Sequence, residues 1–168
     1  MASPSVTLRL GDIIDLPQQL TAGTRVVVTS TSLDIASVVN SRAQIPPPSG
    51  AIDQTYISLF NSTDDILIRI HIRRLENAVM FNSKAASDTN FGTERRVDFN
   101  DIYRIFGPKY DDATIVVKNV GDTFDVFINT NFLGTYPKYF GGDAAKIEYG
   151  IIQGHASVLS DPLTVTSQ

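Results

Sequence analysis

Residues 65–74 read Asp-Ile-Leu-Ile-Arg-Ile-His-Ile-Arg-Arg, a pattern that commits the segment to a sheet. Successive side chains of a strand alternate between its faces, so Ile66, Ile68, Ile70 and Ile72 share one side, the expected core side. Leu67, Arg69, His71 and Arg73 then point the other way. For a single strand, such a polar row is ordinarily a solvated sheet surface. Its neighbours decide whether it is more.

The remaining chain keeps the same rhythm. Apolar or β-branched runs recur at 6–10, 25–31, 55–60, 78–81, 96–99, 114–118, 124–128, 132–136, 146–152 and 157–165. Between them stand turn formers such as Thr21-Ala22-Gly23, Asn119-Val120-Gly121, Asn129-Thr130-Asn131 and Gly141-Gly142-Asp143. Many short strands punctuated in this way predict an all-β sandwich or barrel. Two segments break the pattern. Residues 40–53, with Pro46-Pro47-Pro48, predict a long surface loop. Residues 100–112 predict one short helical turn at 101–105, stopped by Gly107-Pro108. The 168 residues suit one domain spanning 1–168.

Composition removes several function classes. A formal net charge of −4 disfavours a general nucleic-acid binder. Without cysteine there is neither a disulfide framework nor a thiolate metal site. The opening residues lack a basic stretch followed by a long apolar run, and no stretch approaches the roughly 18 apolar residues of a membrane span. The expectation is a soluble protein without a transmembrane segment, made in the cytoplasm. Export to the extracellular space or cell wall would need no signal peptide.

The strand after 65–74 alternates as well: in Glu76 to Ser83, Val79 and Phe81 suit the core, which leaves Asn82 on the face of Arg69 and Arg73. Beyond a loop comes Phe91-Gly92-Thr93-Glu94-Arg95-Arg96-Val97-Asp98-Phe99. Here Glu94 and Arg96 share one face, and Arg95, Val97 and Phe99 the other. Paired side by side, these strands would gather Arg69, His71, Arg73, Asn82, Glu94 and Arg96 into one patch with Phe91 at its edge. Sugar hydroxyls both donate and accept, so they suit fixed guanidinium and amide donors beside carboxylate and amide acceptors. An aromatic ring would serve the apolar C–H face of a pyranose.

These residues resemble the galectins, in particular those of mushroom-forming fungi. Phe91-Gly92-Thr93-Glu94-Arg95-Arg96 is similar to the family's Trp-Gly-x-Glu-x-Arg, with Phe in place of Trp. Arg69-Ile70-His71-Ile72-Arg73 is similar to its His-x-Asn-x-Arg, of which the final Arg is kept. The stretch 76–83 resembles the fungal Asn-bearing strand, and 122–129 with Tyr136 resembles the late hairpin. The resemblance implies a galectin-type jelly-roll β-sandwich of two antiparallel sheets, concanavalin A-like, binding β-galactosides with no metal or cofactor. It also implies frequent homo-oligomers. By the same resemblance, Arg73 would bridge ring hydroxyls and Glu94, Asn82 and Glu94 would meet an exocyclic hydroxymethyl, and Arg96 would buttress Glu94. Arg69 stands where the family's His reads an axial hydroxyl, which motivates N-acetylglucosamine or N-acetyllactosamine-type glycans beside galactosides.

The surplus of Arg69, Arg73, Arg74, Arg95 and Arg96 over Glu94 motivates sulfated or sialylated sugars. His71 and His155 lack zinc spacing. Asp64-Asp65 and Asp111-Asp112 are adjacent on the chain and so face opposite ways on a strand, unlike the opposed carboxylates of a glycosidase. No enzyme is expected. From another class, a structural or protein-interaction β-sandwich that has lost sugar binding is the alternative.

Overall fold

The computed structural model describes residues 2–32, 54–98 and 112–168. Among these residues twelve strands run in the order β1 Ser5–Leu8, β2 Ile13–Leu20, β3 Arg25–Ser30, β4 Thr55–Phe60, β5 Ile66–Arg73, β6 Ala78–Lys84, β7 Arg95–Asp98, β8 Ala113–Asn119, β9 Thr123–Ile128, β10 Asn131–Pro137, β11 Ala144–Ile151 and β12 Leu163–Ser167. They form two six-stranded sheets, β1-β12-β3-β8-β9-β10 and β2-β11-β4-β5-β6-β7, with every pairing antiparallel. The expected two-sheet sandwich is the observed fold. The Pro-rich loop at 40–53 and the helical turn at 101–105 lie outside the described residues, as does Phe99.

The core sits between the sheets. Ile57, Leu59, Ile68, Ile70, Ile72, Val79, Phe81, Ile147 and Tyr149 of the second sheet meet Val26, Val28, Ile115, Val117, Phe124, Val126, Tyr136 and Val165 of the first. Polar groups enter this layer with partners. Tyr136 donates its hydroxyl to Ser83 Oγ at 2.9 Å, and Asn119 Nδ2 donates to the Leu20 carbonyl at 2.8 Å. A buried hydroxyl or amide left without such a bond would cost about 1–3 kcal/mol, so each contact also fixes how the layers meet.

One sequence expectation is corrected here. The alternation predicts Ile66 on the core side and Leu67 outside; Leu67 is fully buried in the core cluster, while Ile66, buried as expected at 5% exposure, lies outside that cluster and pairs with Phe60 and Lys84. The cause is a β-bulge. Against β6, Ile66 pairs with Lys84 and the next pair is Arg69 with Asn82; against β4, Ile66 pairs with Phe60 and Ile68 with Leu59. Leu67 is the extra residue against both neighbours, so the alternation changes phase there and is regular from Ile68 onward. The downstream assignments, Ile68, Ile70 and Ile72 inward and Arg69, His71 and Arg73 outward, are those of the fold.

One strand and one boundary also differ. β2 was not expected, because Pro17 and the polar Gln18-Gln19 interrupt its apolar pattern. It lies at a sheet edge, where a proline needs no inner ladder partner. The run 157–165 is shorter than its composition suggests, with strand only from Leu163.

Candidate functional site

The outward face of the second sheet is organised in rows, since directly paired residues on neighbouring strands share a face. One row runs Glu148, Ser58, Arg69, Asn82 across β11, β4, β5 and β6. The next runs Gly150, Tyr56, His71, Met80, Arg96, ending on β7. The third brings Arg73, Ala78 and Asp98 together.

Arg69 is held from four sides. Its Nε donates to Ser58 Oγ at 2.8 Å and its Nη2 to Glu148 Oε1 at 3.1 Å. The guanidinium carbon lies 4.0 Å from the centre of the Tyr56 ring and 4.5 Å from that of Phe91. Burial pulls the Arg69 pKa below the ordinary guanidinium value, opposed by Tyr56 and Glu148; the group remains a cation. Burial raises the Tyr56 hydroxyl pKa, and Glu148 adds to this. The Tyr56 ring lies against Gly150, where a Cβ would overlap its outer carbons and hydroxyl. Glycine on β11 is therefore what lets the ring lie flat across that strand.

His71 belongs to the face but lies at its floor, only 6% exposed and edge-on to Tyr56 with ring centres 5.9 Å apart. Burial, then the Arg73 and Arg69 cations and His155, push its pKa down to about 3. At neutral pH it is an uncharged imidazole, and its Nε2 has no hydrogen-bond partner. The sequence expectation of an outward histidine beside two arginines is thus sharpened to a buried, neutral one.

Arg73 places its Nη2 3.0 Å from Glu94 Oε1 and its Nη1 3.6 Å from Glu76 Oε2. Glu76 closes the short 3-10 turn Arg74–Glu76, which Asn77 ends in the left-handed conformation at φ 49°. From that turn Glu76 also reaches Arg96 Nη1 at 2.8 Å, and Arg96 Nε bonds Asp98. The expectation that Arg96 buttresses Glu94 is corrected: Arg96 is tied to Glu76 and Asp98, and connects to Glu94 through Glu76 and Arg73. Arg95 turns to the opposite face, as expected, and donates to the Thr135 carbonyl on β10.

The structure therefore brings together Arg69, His71, Arg73 and Asn82 on β5 and β6. Phe91 joins through Arg69, Glu94 through Arg73 and Arg96 through Glu76. Phe91 comes from the loop that Gly92 folds back by donating to the Ser83 carbonyl at 2.8 Å. Its ring also borders a cavity of about 410 Å³ with Lys84, Asp88, Asn90, Tyr139 and Phe140. Sequence reasoning missed Tyr56, Ser58, Glu76, Asp98, Glu148 and Gly150. Their outward parity was available in Tyr56-Ile57-Ser58-Leu59 and Glu148-Tyr149-Gly150, but not their adjacency to Arg69. The arginine surplus is also corrected, since four carboxylates answer Arg69, Arg73 and Arg96 on this face.

Unmet hydrogen bonds concentrate here. Buried His71 Nε2, Arg73 Nε and Asn82 Oδ1 have no partner, and neither has Nδ1 of His155, which lies near enough to His71 to affect its titration. A buried polar atom without a partner is uncommon and costly, so several on one face mark a surface shaped for a polar ligand. Among the described residues, no three His, Asp or Glu side chains gather as a metal site.

Comparison with known proteins accords with this geometry. The chain is 31% identical over 111 residues to galectin-1 of Coprinopsis cinerea, covering 66% of this chain and 68% of that one. The chain belongs to the galectins. This galectin is also 28% identical over 132 residues to an anti-tumor lectin of Cyclocybe aegerita, covering 77% of the chain and 82% of the relative. Solved galectins share the fold. A galectin of Caenorhabditis elegans superposes with a TM-score of 0.63 at 14% identity, covering 96% of this chain and 95% of that one. Sheep galectin-11 superposes with a TM-score of 0.61 at 12% identity, covering 100% and 99%. No family model matches the chain.

Proposed function

We propose that this galectin is a non-catalytic lectin that binds neutral glycans on the face built by β4, β5 and β6. The reading is carried by the cluster of unpartnered buried atoms, His71 Nε2, Arg73 Nε and Asn82 Oδ1, beside guanidinium groups already fixed by carboxylates. Sugar hydroxyls can serve donors and acceptors alike, and a preorganised network spares the entropy of ordering it on binding. Arg73, Asn82, Glu94, Arg96, Arg69, His71 and Phe91 form or support the ligand face.

N-acetylglucosamine-type glycans are the favoured ligands, with β-galactosides, N-acetyllactosamine among them, next. Arg69 can only donate, and its Nε and Nη2 are engaged by Ser58 and Glu148, so it offers no acceptor to an axial hydroxyl. Catalysis does not fit, because Glu94 is held by Arg73 and so is Glu76. The protein acts in the cytoplasm or after export, as a homo-oligomer whose linked sites raise the avidity of weak single ones.

A glycan array with the recombinant protein tests the reading. Arg73→Ala should lower affinity for the strongest array ligand by at least about tenfold while the melting temperature stays near that of the parent, since Arg73 lies outside the core. An array with no ligand and an intact fold would leave the interaction sandwich as the better reading.

A further inference from the structure

Glu148 lies on β11, two strands from the arginine and histidine row, yet it is the carboxylate that answers Arg69. Both groups are shielded, with side chains 15% and 18% exposed. Their charges are therefore less screened by water and salt than those of a surface pair. Two of the five Arg69 N–H donors are spent on Ser58 and Glu148, and three remain. The face thus offers hydrogen bonds from a guanidinium whose positive charge is already neutralised. Arg73 and Arg96 are matched in the same way by Glu94, Glu76 and Asp98.

We propose that Glu148 is a specificity-determining residue that makes this face reject anionic glycans and accept neutral ones, acting through Arg69. The inference rests on the lectin reading and adds a ligand class to it. A sulfate or carboxylate drawn toward Arg69 would meet the Glu148 carboxylate at close range in a partly dehydrated site. Like charges so placed repel strongly enough to alter affinity by about tenfold or more. A neutral hydroxyl pays no such penalty. Tyr56, flat over Gly150, keeps the guanidinium from swinging away from Glu148, so the pairing persists when a ligand arrives.

The test measures affinities of the full chain for N-acetyllactosamine and chitotriose, each beside its O-sulfated form, by calorimetry at low salt. The parent should bind the neutral sugars and lose about tenfold or more on sulfation. Glu148→Gln keeps an oxygen to accept the Arg69 hydrogen bond and removes only the charge. It should shift the sulfated-to-neutral ratio by about tenfold toward the sulfated sugar. Glu148→Asp, which restores the charge, should return the ratio toward the parent value. A ratio unchanged within about twofold in Glu148→Gln, or a parent that prefers the sulfated sugars, would overturn the inference and leave the lectin reading standing. If the parent binds none of the four probes, the lectin reading fails and this inference with it.

Discussion

His71 should add its own acid sensitivity to that of the carboxylates. In the fold its proton binds at about pH 3, whereas in the unfolded chain an ordinary histidine binds near pH 6.5. Above about pH 6.5 the imidazole is neutral in both states and contributes no pH dependence. As pH falls below that value the unfolded chain takes up a proton that the folded one refuses. Stability therefore drops, by up to about 1.4 kcal/mol per pH unit, until the folded imidazole also protonates near pH 3. Between about pH 6 and about pH 4 the loss comes to about 2.5 kcal/mol, or roughly 5–10 °C in melting temperature for a domain of this size. Denaturant unfolding of the parent and of His71→Leu at several pH values isolates this contribution, because the carboxylates titrate in both proteins. The stability of the parent relative to the variant should shrink by about 2.5 kcal/mol across that interval. Parallel curves, agreeing within about 0.5 kcal/mol, would show that His71 is not a buried neutral base and would refute the reasoning.

Two further substitutions probe the scaffold. Gly150→Ala should displace the Tyr56 ring, release Arg69 from its stack and cost about 1–3 kcal/mol, with weaker glycan binding measured alongside denaturant unfolding. Asn61→Ala should cost about 2–4 kcal/mol by chemical denaturation, because one side chain organises the whole 61–65 turn. Its Oδ1 accepts from Thr63 N, Thr63 Oγ1 and Asp65 N, and its Nδ2 donates to Asp65 Oδ2 and the Gly141 carbonyl.

Asn61 also shows what sequence reading can and cannot supply. It opens the glycosylation sequon Asn61-Ser62-Thr63, which pattern alone reads as a modification site, whereas in the fold both ends of the amide are engaged and the residue is buried. The strand character of 55–60, 66–73 and 78–81 was legible because alternation reports burial of one face directly. So was the company of Arg69, Arg73 and Asn82, since β5 and β6 are joined by a short turn and pair as sequence neighbours do. The bulge was hidden because Ile66, Leu67 and Ile68 are all apolar, so hydrophobicity alone carries no phase there. The Arg69–Glu148 pair was hidden for a different reason. It joins residues 79 apart in sequence, and seeing it requires the order β11-β4-β5, which local pattern does not encode. Arg96 shows the same limit at short range, since its carboxylates come from a turn and from its own strand rather than from the expected Glu94.

The surplus residue in β5 has a consequence for how this lineage can change length. Gaining or losing one residue anywhere from Arg69 to Arg73 would invert the faces of part of the strand and carry arginines toward the core. At Leu67 the arithmetic differs. Removing it leaves Ile66 opposite Lys84 and Arg69 opposite Asn82, at the loss of one buried side chain worth roughly 1.5–3 kcal/mol. That position is a joint between two independently phased halves of one strand, where a deletion leaves the orientation of the ligand face unchanged.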